Sequence, residues 1–287
     1  MQSLIAQLRL RGKLRTAETY QTSLNSFRKF RKGRDIPLAD ISSNELLAYE
    51  AALRNKGNCP NTTSFYMRIL RAVYNTAVEL GLICQKYPFK QVYTGISKTI
   101  KRAIPLKYLK RLKRLNLPER TSLALARDLF LFSFYTRGMA FVDMAYLRRR
   151  DLKCNSITYY RRKTGQLLNI KIEECAQEII DRYYNPASEY IFPIIKRHGG
   201  EYRQYRNALR LINLRLKELG ALIGTPINLT TYVGRHSWGS AAKRSSIPVS
   251  VISESLGHNS ERTTLIYLAS LDTTLLDRAN AKILNQL

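Results

Sequence analysis

The sequence predicts a mainly α-helical protein of two domains, with one small β element in the second. Three observations carry this. The first hundred residues repeat apolar positions at helical spacing between capping and stopping residues. Residues 94 to 104, TGISKTIKRAI, are small, polar and basic and run into Pro105, the composition of a linker. Residues 156 to 172, SITYYRRKTGQLLNIKI, are β-branched and aromatic on either side of Thr164-Gly165, the pattern of a hairpin. The expected divisions are 1–94, a basic linker at 95–104, and 105–287. At 287 residues and 45% apolar content, the chain is long enough to bury a core in each part.

In the first domain, Thr16 can cap a helix through AETYQTSLNSFRKF. Ser42 and Glu45 form a capping box ahead of LLAYEAALRNK, which Gly57 can end. Asn61 or Thr62 opens TSFYMRILRAVYNTAVEL, closed by Gly81. In that last helix Phe65, Ile69, Val73 and Ala77 share a face, and Arg68 and Arg71 lie off it. The second domain opens with helices at 106–115 and 119–136, then a short one in FVDMAYL. After the hairpin, helices are expected at 174–183, 201–219, 231–245, 249–256, 260–267 and 272–285. No internal repeat or low-complexity block interrupts them.

Charge narrows the function. The chain carries 48 Lys and Arg against 21 Asp and Glu, a net +27. Residues 1–103 hold 18 cations against 6 anions and the remainder 30 against 15, so the excess is spread over both domains rather than held in a tail. A body cationic throughout repels itself unless a polyanion neutralises it, which points to nucleic-acid phosphate. No segment segregates its charges like a membrane-surface anchor. There is no apolar run of transmembrane length, and MQSLIAQLRLRGKLR lacks a signal peptide's apolar centre. The expectation is a soluble cytoplasmic, nucleoid-associated protein without a membrane partner. Cys59, Cys84, Cys154 and Cys175 have no paired short spacing, so they are expected to be reduced and structural.

Walker-type phosphate loops, nucleophile elbows, metalloprotease motifs and acid pairs with metal-binding spacing are all missing. No cofactor or metal is therefore expected, and phosphodiester chemistry would fall to cationic side chains and a covalent nucleophile. Four places suit that demand. Arg137 follows an apolar helix and precedes a glycine in FYTRGMAFVDMAYL. Lys163 lies at the hairpin tip in YYRRKTGQ. Arg235 lies among small residues in LTTYVGRHSWGSAA. His258 and Tyr267 lie nine residues apart in GHNSERTTLIYLASLD.

In this order and approximate spacing, Arg137, Lys163, the Arg235-His236 pair, Leu256-Gly257-His258 and Tyr267 resemble a tyrosine recombinase of the phage integrase family. The likeness extends over essentially the whole chain. It implies a C-shaped clamp with an N-terminal helical core-binding domain and a C-terminal mixed α/β catalytic domain, in an Xer- or invertase-like form without an arm-binding domain. It implies site-specific cutting and rejoining of double-stranded DNA, for integration, inversion or excision, as in a mobile genetic element. Tyr267 would form a 3′-phosphotyrosyl link, Arg137 and Arg235 would hold the phosphate, Lys163 would protonate the leaving 5′-oxygen and His258 would hydrogen-bond the phosphate. It also implies a homo-tetramer on paired sites, joined through 272–285, with accessory DNA-bending proteins as further partners.

Two positions depart from the family pattern. Tyr232 stands three residues before Arg235, where a histidine is usual; a phenol can donate a hydrogen bond to phosphate but is a poor base near neutrality. His236 points elsewhere on the helix and is expected to pack rather than catalyse. Ala140 replaces an acid often found three residues after the first arginine; Asp143 is the nearby carboxylate, able to orient Arg137 or Lys163, or to cap local structure. Two other readings stay open: a catalytically inactive DNA-binding protein of the same fold, and a type IB topoisomerase-like enzyme.

Overall fold

A computed structural model of the chain describes residues 1–97, 99, 102–268, 281, 283 and 284, with only the backbone described at 266 and 267. The chain divides into two compact units, Met1–Thr99 and Ile100–Leu287.

The first unit holds four helices, α1 (Gln2–Leu10), α2 (Leu14–Phe30), α3 (Ser43–Asn55) and α4 (Pro60–Glu79). Helix α2 begins two residues before Thr16, which falls inside its first turn. Ser42 caps α3 by accepting the Glu45 N–H at 3.2 Å. The reciprocal half of the box is missing, because the Glu45 carboxylate pairs with Arg31 of α2 instead. Helix α4 starts earlier than its side-chain caps suggest, with Pro60 in the first turn where a missing N–H costs nothing. Its buried face is Met67, Leu70, Val73, Tyr74 and Ala77. Phe65 and Ile69, expected on that face, are only half-buried, since the core of α2 and α3 meets α4 one residue round. Residues 94–97 are tied to α4: the Asn61 amide exchanges two hydrogen bonds with the Ser97 backbone, at 2.8 and 2.9 Å, and Arg71 donates to Thr94.

The second unit is built round α6 (Ser122–Tyr135), whose sequence is apolar on all sides and whose Leu129, Phe130 and Phe132 are fully buried. Around it pack α5 (Leu106–Arg114), α8 (Glu174–Arg182), α9 (Glu201–Leu222) and α10 (Thr231–Arg244). The buried Asp128 of α6 accepts from Arg127 Nε, Arg182 Nη1 and Tyr183 Oη at 2.7 to 2.9 Å, fixing the end of α8. Phe132 meets Phe192 edge-on, ring centres 4.9 Å apart.

Short helix α7 (Phe141–Ala145) leads to a three-stranded antiparallel sheet in the order β1 (Leu152–Lys153), β2 (Ser156–Tyr160), β3 (Leu167–Lys171). The β2–β3 register runs from Ser156 opposite Lys171 to Tyr160 opposite Leu167, leaving residues 161–166 as the hairpin turn. Helices α11 (Val249–Leu256) and α12 (Glu261–Leu268) close the described part, joined at Gly257. The helix expected at 272–285 lies outside the described residues except for 281, 283 and 284. Cys59, Cys84 and Cys154 are exposed and so pack no core, contrary to the structural role expected of them. Among the described residues no helix is long and apolar enough to cross a membrane.

Candidate active site

Four segments of the second unit meet: the end of α6, the β2–β3 hairpin, α10, and the turn between α11 and α12. Helix α6 ends when Thr136 bonds back to the Phe132 carbonyl, and Gly138 N–H reaches the Ser133 carbonyl at 2.7 Å. Arg137 (φ 55°) and Gly138 (φ 75°) are both left-handed. For arginine that conformation costs roughly 1–2 kcal/mol, strain of the kind found at functional positions. The Arg137 guanidinium lies 3.5 Å from the Asn169 carbonyl of β3.

Gly138 determines where Arg235 sits. A Cβ at Gly138 would lie 2.9 Å from Arg235 Cγ and 3.1 Å from Arg235 Cα, so only glycine lets α10 approach this turn. Arg235 is 2% exposed. Its Nη1 donates to the Gly138 carbonyl at 2.7 Å, and its Nη2 donates to the Leu256 carbonyl at 2.5 Å and lies 3.2 Å from His258 Nε2. One guanidinium thus joins the end of α6 to the end of α11.

His258 follows Gly257, whose left-handed φ of 62° ends α11. Its Nδ1 is 2.8 Å from Thr264 Oγ1, a buried hydroxyl on α12. Since Arg235 can only donate, Nε2 accepts from it, and Nδ1–H is given to Thr264. Burial, then the charges of Arg235, Arg161 and Lys163, push the imidazole pKa down to about 4. His258 is therefore neutral at physiological pH. Position 267 follows Thr264 by about one helical turn on the same helix. The described end of α12 is held by the buried Leu268 and by Lys243, which donates to the Leu268 carbonyl at 3.1 Å. The Tyr267 side chain lies outside the described residues.

Lys163 is exposed in the hairpin turn, near enough for its charge to act on His258. Asp143, buried in α7, accepts the Arg162 N–H at 2.9 Å and so anchors the hairpin turn next to Lys163. Burial raises the Asp143 carboxyl pKa, opposed by that hydrogen bond and by the charges of Arg161, Arg235 and Arg162. Of the roles open to Asp143, the contact seen is with the backbone of the turn, at the residue before Lys163. Tyr232 is 47% exposed, and its ring meets the buried His236 ring edge-on at 4.7 Å. His236 thus packs, as expected from its direction on α10.

Two participants escaped the sequence reading. Thr264 carries no motif. Arg161 is 4% exposed, and its Nη1 donates to the Gly257 carbonyl. Ile157 and Tyr159 face the same buried side, so period-two alternation along β2 was the signal for Arg161. Burial and the neighbouring Arg235 charge lower its pKa. Among the described residues neither Arg161 nor Arg235 forms an ion pair, and the Nε of each is buried without a hydrogen-bond partner.

Comparison with known proteins identifies the family and the fold. Residues 1–92 match the phage integrase SAM-like domain, and residues 110–274 match the phage integrase family. The tyrosine recombinase XerC of Roseiflexus castenholzii (strain DSM 13941 / HLO8) is 22% identical over 264 residues, covering 88% of this chain and 82% of the relative. Among solved structures, a lambda integrase (75–356) dimer bound to a core site superposes with a TM-score of 0.68 at 15% identity over 93% of each chain. The Tn1549 transposon integrase in complex with a circular intermediate DNA gives a TM-score of 0.68 at 16% identity, over 99% of this chain and 98% of that one. The site-specific recombinase XerH bound to a palindromic difH substrate gives 0.68 at 16% identity, over 93% and 80%. With more than half its length matched by the family's catalytic region, the chain belongs to the phage integrase family and is a tyrosine-type site-specific DNA recombinase.

Proposed function

We propose that Arg137, Lys163, Arg235, His258 and Tyr267 form one phosphodiester-cleaving site. Tyr267 Oη bonds to phosphorus as the P–O5′ bond breaks, leaving the protein on the 3′-phosphate. Lys163 gives its proton to the departing 5′-oxygen. Tyr232 stands half exposed where the resemblance places a histidine, so we assign the phenol's proton to water, with the Tyr232 hydroxyl as a phosphate donor. Arg137 and Arg235 stabilise the charge gathering on the non-bridging oxygens. When Arg235 turns toward phosphate, His258 Nε2 is released, and the Thr264 hydroxyl, able to donate or accept, permits the tautomer in which His258 donates to phosphate as well.

The observation that carries this reading is the buried Arg235, its Nε without a hydrogen-bond partner, set beside a neutral His258, with no carboxylate in ion-pair contact with it among the described residues. A buried guanidinium held by carbonyls and a neutral imidazole, with Asp143 acting on it only through space, is costly, and a bound phosphate would offset that cost. The distribution of charge over both sequence divisions supports DNA contact by each, with residues 1–94 as the core-binding domain and 105–287 as the catalytic domain. The DNA complexes named above support a DNA partner; that paired sites are held by a tetramer, with residues from 272 onward reaching a neighbouring subunit, rests on the resemblance alone.

The test is a suicide duplex, nicked near a site that the protein selects from a randomised pool. Wild type should accumulate a covalent protein–DNA adduct that Tyr267→Phe does not form, and recombination should require two matching sites. Tight binding without an adduct would leave a DNA-binding module, and relaxation of supercoils without a site would indicate a topoisomerase.

A further inference from the structure

Arg161 has no place in the motif set that identifies the family, yet it is one of the most buried charged side chains in the molecule. It extends the inward face of β2 beyond Ile157 and Tyr159, and its backbone closes the hairpin turn. Its N–H donates to the Gln166 carbonyl at 2.8 Å, and its carbonyl accepts the Gly165 N–H at 2.7 Å. Its side chain crosses to the α11–α12 turn and donates to the Gly257 carbonyl, which Thr164 Oγ1 also approaches at 3.4 Å. Gly257 makes room for it, because a Cβ there would lie 2.9 Å from Arg161 Cδ. Lys163 therefore lies exposed in a six-residue turn, 161–166, whose two side-chain donors, Arg161 and Thr164, clasp the carbonyl immediately before His258.

We propose that Arg161 is a positioning residue, which by clasping the Gly257 carbonyl locks the β2–β3 hairpin onto the turn before His258 and holds Lys163 within reach of the leaving 5′-oxygen. Asp143 already holds the turn at the Arg162 N–H; a charged hydrogen bond from Arg161 to a buried carbonyl on a different element is a second tether, and two tethers leave the exposed lysine far fewer orientations than one. Arg161 serves the reaction through Lys163, so the inference rests on the assignment of Lys163 as general acid.

The experiment compares single-turnover cleavage of an ordinary phosphodiester with that of a substrate whose scissile 5′-bridging oxygen is sulfur. A thiolate, with a thiol pKa near ~8.5, leaves without the proton an alkoxide requires. Lys163→Ala and Arg161→Met, the latter keeping an apolar stem, should each slow cleavage of the ordinary diester by on the order of 10²–10⁴-fold. Both should return to within about tenfold of wild type on the sulfur substrate, since only proton donation is missing. Rescue also shows that the variant is folded. Thr164→Val, which removes the weaker donor outside the core, should show a smaller defect cancelled by the same substitution of sulfur. Rescue of Lys163→Ala with no rescue of Arg161→Met and Thr164→Val would overturn the latch and place Arg161 on the phosphate or in folding. Normal cleavage of the diester by Arg161→Met would overturn it as well. Failure to rescue Lys163→Ala would remove the general-acid assignment, and the latch with it.

Discussion

Replacing Gly138 by alanine tests the contact on which the site's geometry depends. Gly138 has a φ of 75°, which costs an alanine roughly 1–2 kcal/mol. The new methyl group would meet Arg235 Cγ at 2.9 Å and the α10 backbone at Arg235 Cα at 3.1 Å. Because backbone cannot swing aside as a side-chain tip does, α10 must shift, at an overpacking cost of roughly 1–3 kcal/mol. The expected loss of stability is roughly 2–5 kcal/mol in total. Gly224→Ala is the control: its φ of 67° is equally left-handed, but a Cβ there has nothing within 4 Å, so only the backbone cost of roughly 1–2 kcal/mol applies. Urea unfolding followed by Trp238, the single tryptophan and a residue of α10, reads both variants in the same unit. Displacing Arg235 should in addition slow suicide-substrate cleavage by on the order of 10²-fold in Gly138→Ala and leave Gly224→Ala near wild type. Equal destabilisation of the two variants with wild-type cleavage by Gly138→Ala would refute the argument that this close approach seats Arg235.

Three further outcomes follow from the same geometry. The His258 ring, with its pKa pushed down to about 4, should stay neutral from pH 8 to below pH 5 in an NMR titration assigned with His258→Gln; because the folded state disfavours its proton, its contribution to stability is present above pH ~6.5 and falls away as pH drops toward 4, and a midpoint near 6.5 would contradict the burial described. Thr264→Val should remove the hydroxyl that holds the His258 Nδ1–H, at a cost of roughly 1–3 kcal/mol, with cleavage falling about tenfold and Thr264→Ser restoring it; equal activity of both variants would show that the hydroxyl does not hold the ring. DNA affinity, measured by fluorescence anisotropy, should fall by orders of magnitude between ~50 and ~200 mM salt, and a flat response would count against phosphate contacts by both units.

How far the sequence reveals the site depends on whether the chemistry is local. Arg137, Lys163, Arg235 and His258 lie in segments whose turns and helices are written locally, and the structure brings those segments together. The hairpin was legible because β-branched residues flank Thr164-Gly165, and the α11–α12 turn because Gly257 can adopt a left-handed backbone that ends a helix. Arg161 was hidden in a run of three cations, where only the strand's period of two separates the buried one from its neighbours. Thr264 was illegible because its importance is a tertiary contact, made by a hydroxyl common on helix surfaces. The face of α4 was misjudged by one residue because the choice among adjacent apolar stripes belongs to the helices packed against it. Glu45 left its capping box for Arg31, a choice made between elements rather than within one.

The most direct test of the whole account is to digest the covalent complex formed on a suicide duplex and identify the DNA-bearing peptide by mass spectrometry, while probing the released strand's end. A nucleotide 3′-phosphate on Tyr267 is expected, with a released strand that a kinase labels without prior dephosphorylation, as a 5′-hydroxyl allows. A phosphate on another residue, or a released strand bearing a 5′-phosphate, would contradict it.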